Sequence, residues 1–277
     1  MAAASLALRD LLTAPARPGT VLAAFPSAVY VQVTPGAAEG GAGAVVALLA
    51  RDAVRLPLGL VVGEDAASRP FAGLAAGEEM LVGDGAVQLI GPAPRQWRVQ
   101  RWWDSRVPVV RPPTATDPPT ATEPPGGDRA VDDAVRGLVG LGPGLTPAGD
   151  DVLCGALAAL TALGDGERRA RLAAAVTRHA HRTTTLSAAL LHAAADGHGV
   201  PELTRLIVAV LRDEPADARR ALAAVLAIWH SSGVALATGA LLVLRAAHAP
   251  ATAPGILQAR TAAPCPITPS PTREEAA

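Results

Sequence analysis

The sequence contains no lysine, few aromatic residues and only two cysteines. All 24 basic residues are arginine, which excludes enzymes that depend on a Schiff-base lysine or on the lysine of a P-loop. Cys154 and Cys265 are too few for a disulfide framework and favour a reducing, cytoplasmic location. The formal net charge is −1, so no basic surface for nucleic acid is expected. We therefore expect a small molecule as the ligand.

One long stretch, 221–244, carries no formal charge and is long enough to span a bilayer. Its middle is interrupted by the polar residues His230, Ser231 and Ser232 and by Gly233. This interruption favours two buried helices joined by a polar turn over a membrane span. We expect no association with the membrane.

The pattern of hydrophobic residues changes along the chain and predicts an α+β fold class. Residues 1–106 have short apolar runs separated by glycine and proline, which is typical of a β-rich N-terminal domain. Residues 107–128 form a Pro/Thr-rich linker, since the tandem PTATDPP and PTATEPP suits neither a helix nor a central strand. Residues 129–248 have helical periodicity and predict an all-helical C-terminal domain with buried Ala-rich helices, followed by a flexible tail, 249–277.

Individual elements follow from the same pattern. The clearest strands are predicted over Ala28–Val33, Val45–Leu49, Leu58–Val62 and Ala86–Ile90, with a short strand in Trp97–Arg106. An Asp84-Gly85 turn predicts a hairpin before the fourth of these strands. Besides the helix that follows the glycine loop described next, helices are predicted over Arg129–Val139, Gly166–His181, Ala188–Ala195, Pro201–Leu211, Asp217–Trp229 and Val234–Ala247.

The most unusual stretch is the glycine loop, Gly140–Gly149, which has four glycines and two prolines in ten residues. Thr146 is a suitable N-cap and Pro147 a suitable first residue for the helix that follows. Free N–H groups at such a terminus can bind an anion. Asp150 and Asp151 come at its first turn, where they either complement the helix dipole or face a ligand amide or a divalent cation.

Two further polar clusters precede Ala-rich helices, Thr183–Ser187 and Ser231–Gly233. Each is explained by ordinary helix capping, but three converging helix N-termini would form a pocket for a carboxylate or phosphate. His230 is either a cap of the preceding helix or an acid–base group. His179 and His181 would point apart on a helix and lack a third ligand nearby, which argues against a zinc site.

The three clusters, in their order and spacing, resemble the family of the AllH subunit of oxamate carbamoyltransferase. The resemblance extends to the Gly- and Pro-punctuated N-terminal half, which is similar to the β domain of that family. It implies a cytoplasmic enzyme subunit of the anaerobic allantoin pathway. Such a subunit acts with two partner subunits on oxalurate, oxamate, carbamoyl phosphate and phosphate, all of them small anions.

The resemblance, together with the loop chemistry, assigns roles to the clustered residues. The expected catalytic residues are Asp150, Asp151 and His230. The expected substrate-binding residues are Gly142, Gly144, Thr146, Gly149, Thr185, Ser187, Ser231, Ser232 and Gly233. No cofactor is certain, although Mg²⁺ could lie between Asp150 and Asp151.

The chain departs from the family pattern at two places. It has Ala148 where a serine is usual, and Val234 and Ala235 where an acidic residue follows the serine pair. These departures leave open a different carbamoyl or amide substrate. They also leave open a non-catalytic subunit that binds a small anion or serves assembly, and a glycine loop that only packs two helices closely.

Overall fold

A computed structural model describes residues 2–36, 43–110, 127–228 and 231–248. Its N-terminal part is a closed barrel of eight strands in the order β1-β5-β4-β3-β2-β6-β7-β8. The barrel closes where the first strand pairs in parallel with the last, and β4 and β5 are also parallel. The strands are β1 (Ala2–Ser5), β2 (Arg17–Ala24), β3 (Ala28–Val33), β4 (Val45–Leu49), β5 (Gly59–Val62), β6 (Glu79–Gly83), β7 (Ala86–Leu89) and β8 (Arg95–Trp103).

The strand predictions are confirmed where the apolar runs are short and clearly bounded. β3 and β4 have the predicted limits, and β5 and β7 differ by one residue at one end. The turn between β6 and β7 is the predicted Asp84-Gly85 hairpin, with φ of 49° and 75°. Positive φ at both residues is what a type I′ turn requires, which explains the preference for this dipeptide.

The helices lie mostly where the periodicity places them. They are α1 (Arg9–Thr13), α2 (Gly127–Leu138), α3 (Ala148–Ala162), α4 (Gly166–His179), α5 (Thr185–Ala195), α6 (Pro201–Leu211), α7 (Pro215–Leu226) and α8 (Ser232–His248). The uncharged stretch 221–244 falls into α7 and α8, as predicted. Among the described residues, no helix combines the length and hydropathy of a membrane span.

The predicted fold class is wrong. The sheet is a closed barrel, α1 lies in the N-terminal part, and His198, among the C-terminal helices, forms a β-bridge with Arg106. One hydrophobic cluster includes barrel residues such as Leu60 together with helix residues such as Ile207. Local periodicity reveals strands and helices but not long-range pairing, such as that of β1 with β8. The boundaries at 106 and 128 stay predictions.

The chain that leaves β8 runs along the helices. The N–H of Val107 donates to the carbonyl of Gly197 at 2.8 Å, and the N–H of Val110 donates to that of Ala162 at 2.8 Å. Both valine side chains are buried. This segment therefore attaches the barrel to α3 and to the turn after α5. The rest of the predicted linker up to 126 and the predicted tail from 249 lie outside the described residues.

The central helices α3 and α8 pack backbone to backbone. A Cβ on Gly239 would lie 1.9 Å from the carbonyl oxygen of Val152, and a Cβ on Gly155 would lie 2.1 Å from that of Leu236. Real Cβ atoms do not approach carbonyl oxygens so closely, so both positions require glycine. The alanine-rich composition thus corresponds to helices that cross at short range. This crossing fixes the position of α3 relative to α8.

We predict that Gly239→Ala destabilises the fold because the new methyl group would meet the backbone of α3. Overpacking in a well-packed interior costs about 1–3 kcal/mol, occasionally more, and the melting temperature should fall by roughly 2 to 4 °C per kcal/mol. The matched control is Gly137→Ala in α2, where a Cβ meets nothing within 4 Å and helix propensity should add up to about 1 kcal/mol. Equal melting temperatures for the two variants would contradict the close crossing.

Candidate functional site

The glycine loop closes the start of α3 with its own carbonyl groups. The N–H of Gly149 donates to the carbonyl of Leu141, and those of Asp150 and Asp151 donate to that of Pro147. Pro147 occupies the N-cap position and makes no side-chain cap, so the prediction of Thr146 as the N-cap is wrong. Three of the N–H groups expected to bind an anion are therefore already bonded within the protein.

Asp150 joins the loop to the start of α5. Its side chain is buried, and Oδ1 accepts the N–H of Gly140 at 2.9 Å. Its Oδ2 accepts the hydroxyl of Ser187 at 2.7 Å and also that of Thr183. Thr184 caps α5 by accepting the N–H of Ser187 at 3.1 Å, and its hydroxyl donates to the carbonyl of Leu145 at 2.5 Å. Asp150 therefore holds these segments together with a fully bonded carboxylate.

Asp151 lies in a different environment one residue later. It is 7% exposed, and its buried Oδ2 has no hydrogen-bond partner among the described residues. Burial raises the pKa of its carboxyl from 3.8 to about 7, interaction with the Ser232 hydroxyl partly offsets this, and the neighbouring Asp150 adds to it. The hydroxyl of Ser232, at the start of α8, is 3.3 Å from that of Thr146. Thr146, Asp151 and Ser232 thus meet at one place.

These three residues line a cavity of about 40 Å³ between the barrel and the helices. Its other walls are mostly apolar and include Leu56 and Pro57 of the barrel and Leu203 of α6. Cys154 also lines it, and burial, followed by the two carboxylates, raises the pKa of its thiol well above the usual value. The thiol therefore stays protonated and is a poor nucleophile. The polar groups available in this part of the cavity are a carboxyl and two hydroxyls.

The structure separates the predicted binding glycines into two kinds. Gly142 and Gly144 are exposed at the apex of the loop with φ of 117° and 93°, and a Cβ on Gly144 would meet nothing within 4 Å. Gly149 and Gly233 are packing positions, since a Cβ on either would lie 2.0 Å from a carbonyl oxygen, that of Leu138 or Val225. Only the apex glycines are accessible to a ligand.

The remaining predicted site residues are Thr185, Ser231 and His230. Thr185 is half-buried in the first turn of α5. Ser231 is exposed, and its carbonyl accepts the N–H of Ala235 at 3.1 Å. His230 lies outside the described residues. Within the described residues, no three His, Cys, Asp or Glu side chains are grouped to hold a metal, so Mg²⁺ between Asp150 and Asp151 would have no further protein carboxylate.

One histidine of the cavity was missed by the sequence reasoning. His198 lines the cavity wall together with Gly199, and its Nδ1 is 2.8 Å from the hydroxyl oxygen of Ser105. Neither residue belongs to a recognisable motif, and 93 positions separate them. No periodicity or local cluster relates them, so only the tertiary structure could bring them together.

We predict that the stability of the protein falls as the pH rises from about 4 to 8 relative to Asp151→Asn. Because burial holds the folded pKa near 7, well above 3.8, the folded state retains a proton that the unfolded state has lost. This contribution is fully present below pH 3.8 and is lost as the pH passes 7. A pKa difference of about three units corresponds to at most about 4 kcal/mol of unfolding free energy.

Denaturant unfolding of both proteins at intervals across this range measures the effect. The asparagine variant is the control, because it has the shape of the protonated carboxyl and shares all other titrations. A difference in unfolding free energy that stays constant from pH 4 to 8 would show that Asp151 titrates normally.

Comparison with known proteins gives one match. Residues 138–244 match the family model described as oxamate carbamoyltransferase subunit AllH. No curated protein and no solved structure matches the chain. The matched region begins at the end of α2 and ends in α8, so it contains the glycine loop, both aspartates and the hydroxyl clusters. The match supports membership of the chain in the family of oxamate carbamoyltransferase subunit AllH through this region.

Proposed function

We propose that this chain is a subunit of an oxamate carbamoyltransferase-like enzyme and that Asp151 contacts the substrate amide. The observation that carries the proposal is the buried, unpartnered Oδ2 of Asp151 in the wall of a cavity. A buried polar atom without a partner is costly in a folded protein. An amide or carbamoyl group of a ligand would supply the missing partner, because it offers both N–H donors and a carbonyl acceptor.

The environment of Asp151 suits proton transfer at neutral pH. A carboxyl with a pKa of about 7 is present in both protonation states there, which is the condition for an effective general acid–base. In carbamoyl transfer, the oxamate nitrogen forms a bond to the carbamoyl carbon while the bond from that carbon to the phosphate oxygen breaks. The nitrogen loses a proton, which Asp151 accepts, and the reverse reaction returns it. Positioning by the hydroxyls of Thr146 and Ser232 would lower the barrier further.

Asp150 has a different part in the proposal. Its two oxygens already accept an N–H and two hydroxyls, which leaves little capacity for a ligand. It acts by fixing the start of α5 against the glycine loop. The phosphate that is the second substrate would lie near the exposed apex of this loop, at Gly142 and Gly144.

A non-catalytic role in binding or assembly is the second candidate. The observation in its favour is a set of large apolar side chains exposed around the site, Leu141 and Leu145 in the loop and Val234 in the first turn of α8. Exposed apolar groups of this kind often form a contact with another protein. In that role the family's partner subunits would carry the chemistry, and the cavity of this chain would not be needed for turnover.

Substitution of each aspartate by asparagine in the assembled enzyme tests the proposal. We expect Asp151→Asn to reduce the release of carbamoyl phosphate from oxalurate and phosphate by about 10² to 10⁴-fold, the usual contribution of general acid–base catalysis. Its melting temperature at pH 7.5 should not fall, because the variant removes a buried ionisable group. Asp150→Asn should instead lower the melting temperature, because an amide nitrogen would face hydrogen-bond donors.

The matched control is Asp132→Asn, a carboxylate bonded to Arg178 and His179 on the outside of the helices. It should change neither turnover nor assembly by more than about twofold, since surface ion pairs contribute little. Full turnover by the Asp151→Asn enzyme would exclude the catalytic role and favour the assembly role. Assembly can be followed separately by co-purification of the partner subunits.

A further inference from the structure

A chain of buried hydrogen bonds connects the barrel to the cavity. The hydroxyl of Ser5, at the end of β1, is 2.8 Å from that of Ser105, which follows β8. The hydroxyl oxygen of Ser105 is in turn 2.8 Å from Nδ1 of His198. Both serines are buried, at 0% and 3% exposure. Two buried hydroxyls therefore fix one nitrogen of the imidazole ring, which leaves Nε2 as the nitrogen available to a ligand.

The backbone around His198 is held equally firmly. Its N–H donates to the carbonyl of Ala193 at 2.9 Å, and the next N–H, of Gly199, donates to the carbonyl of Ser105 at 2.8 Å. Arg106 pairs with His198 as a β-bridge. Such support is characteristic of a side chain whose orientation matters, because a ring held on both sides loses little entropy when a ligand binds.

His198 and Asp151 both line the cavity, and they lie near different parts of α3. On α3 the cavity wall includes Asp151, Cys154 and Ala158, which share one face of the helix. The seven-residue step from Asp151 to Ala158 corresponds to about 10 Å along the helix axis. A Cβ on Gly197, next to His198, would lie 3.5 Å from the side chain of Thr161, one turn beyond Ala158. The cavity therefore has a polar group near each end and apolar walls between them.

We propose that His198 is a second ligand-contacting residue of this cavity, and that Ser105 and Ser5 position its ring. The ligand would be narrow and uncharged in its middle, with an amide at the Asp151 end and a carbonyl or carboxylate oxygen at the His198 end. Oxalurate has this pattern of groups, with a carbamoyl group at one end and a carboxylate at the other. The inference rests on the proposed function for the identity of the ligand, but the hydrogen-bonded ring and the cavity are independent of it.

The charges around His198 are consistent with a neutral ring that donates from Nε2. Burial, with the nearby Arg106, lowers the pKa of His198 below 6.5, and the carboxylates Asp196 and Asp104 oppose this. A neutral ring that accepts the Ser105 hydroxyl at Nδ1 carries its proton on Nε2. That N–H can donate to a ligand oxygen without placing a second charge in an apolar cavity.

Two substitutions of His198 separate the function of its two nitrogens. His198→Asn keeps a polar atom near the place of Nδ1 and removes Nε2, whereas His198→Gln keeps a polar atom near Nε2. The measurement is calorimetric titration of oxalurate into the full chain, alone and assembled with its partner subunits. We expect His198→Asn to weaken binding about tenfold to a hundredfold, the usual effect of losing a hydrogen bond to a charged ligand. His198→Gln should retain most of the affinity.

Ser105→Ala and two controls complete the set. Ser105→Ala leaves the ring in place without its hydroxyl partner and should weaken binding about two- to tenfold. This variant tests the positioning role even if one of the His198 variants fails to fold. The matched control is His248→Asn, because Nδ1 of His248 bonds to the carbonyl of Leu244 in its own helix. It should bind oxalurate as the unaltered chain does.

The outcomes distinguish this inference from the proposed function. Loss of affinity in both His198→Asn and Asp151→Asn, with unchanged melting temperatures, supports the two-ended cavity. Loss in Asp151→Asn alone overturns the role of His198 and leaves the proposed function intact. Loss in His198→Asn alone supports His198 and overturns the assigned contact of Asp151. The absence of binding by the unaltered chain, both alone and assembled, overturns the inference.

Discussion

The arrangement of the site depends on the bonds that Asp150 accepts. One carboxylate receives an N–H from the glycine loop and two hydroxyls from the start of α5. Transfer of a carboxylate from water into the protein interior costs free energy, and these three donors compensate for that cost. The three segments must therefore approach each other as a unit. Because α3 also crosses α8 at backbone contact, the same constraint places Ser232 next to Thr146 and Asp151.

Two adjacent carboxyls consequently have opposite properties. Asp150 has donors for both oxygens, whereas Asp151 is desolvated with one unpartnered oxygen, and its pKa rises to about 7. A desolvated carboxyl with a raised pKa in the wall of a cavity is a common feature of functional sites. Here the fully bonded member supports the structure, and the other is the better candidate for chemistry. The structural and the functional explanation of acidic residues at the start of α3 therefore both apply, each to one of the two aspartates.

The sequence predicted those parts of the fold and the site that depend on local interactions. The Asp84-Gly85 hairpin, the limits of α6 and the polar start of α5 follow from turn and cap preferences. The convergence of Thr146, Ser187 and Ser232 around α3 was expected only as a hypothesis, and the contacts of Asp150 and Thr146 agree with it. Barrel closure and the Ser5–Ser105–His198 chain could not be predicted, since both join residues about a hundred positions apart.

The cavity is small, and the composition of the chain helps to explain its size. Only 3% of the residues are aromatic, and glycine at 155 and 239 lets α3 and α8 touch. Close helix packing leaves a narrow cavity of about 40 Å³, which admits only small, slender groups. A carbamoyl or amide group is of this order, whereas a nucleotide or a sugar is not. The barrel part completes the walls through Leu56 and Pro57, and Ser105 bonds to His198 in the wall. All three residues lie outside the family match at 138–244. The walls of the cavity therefore come from the barrel part as well as from the matched helices.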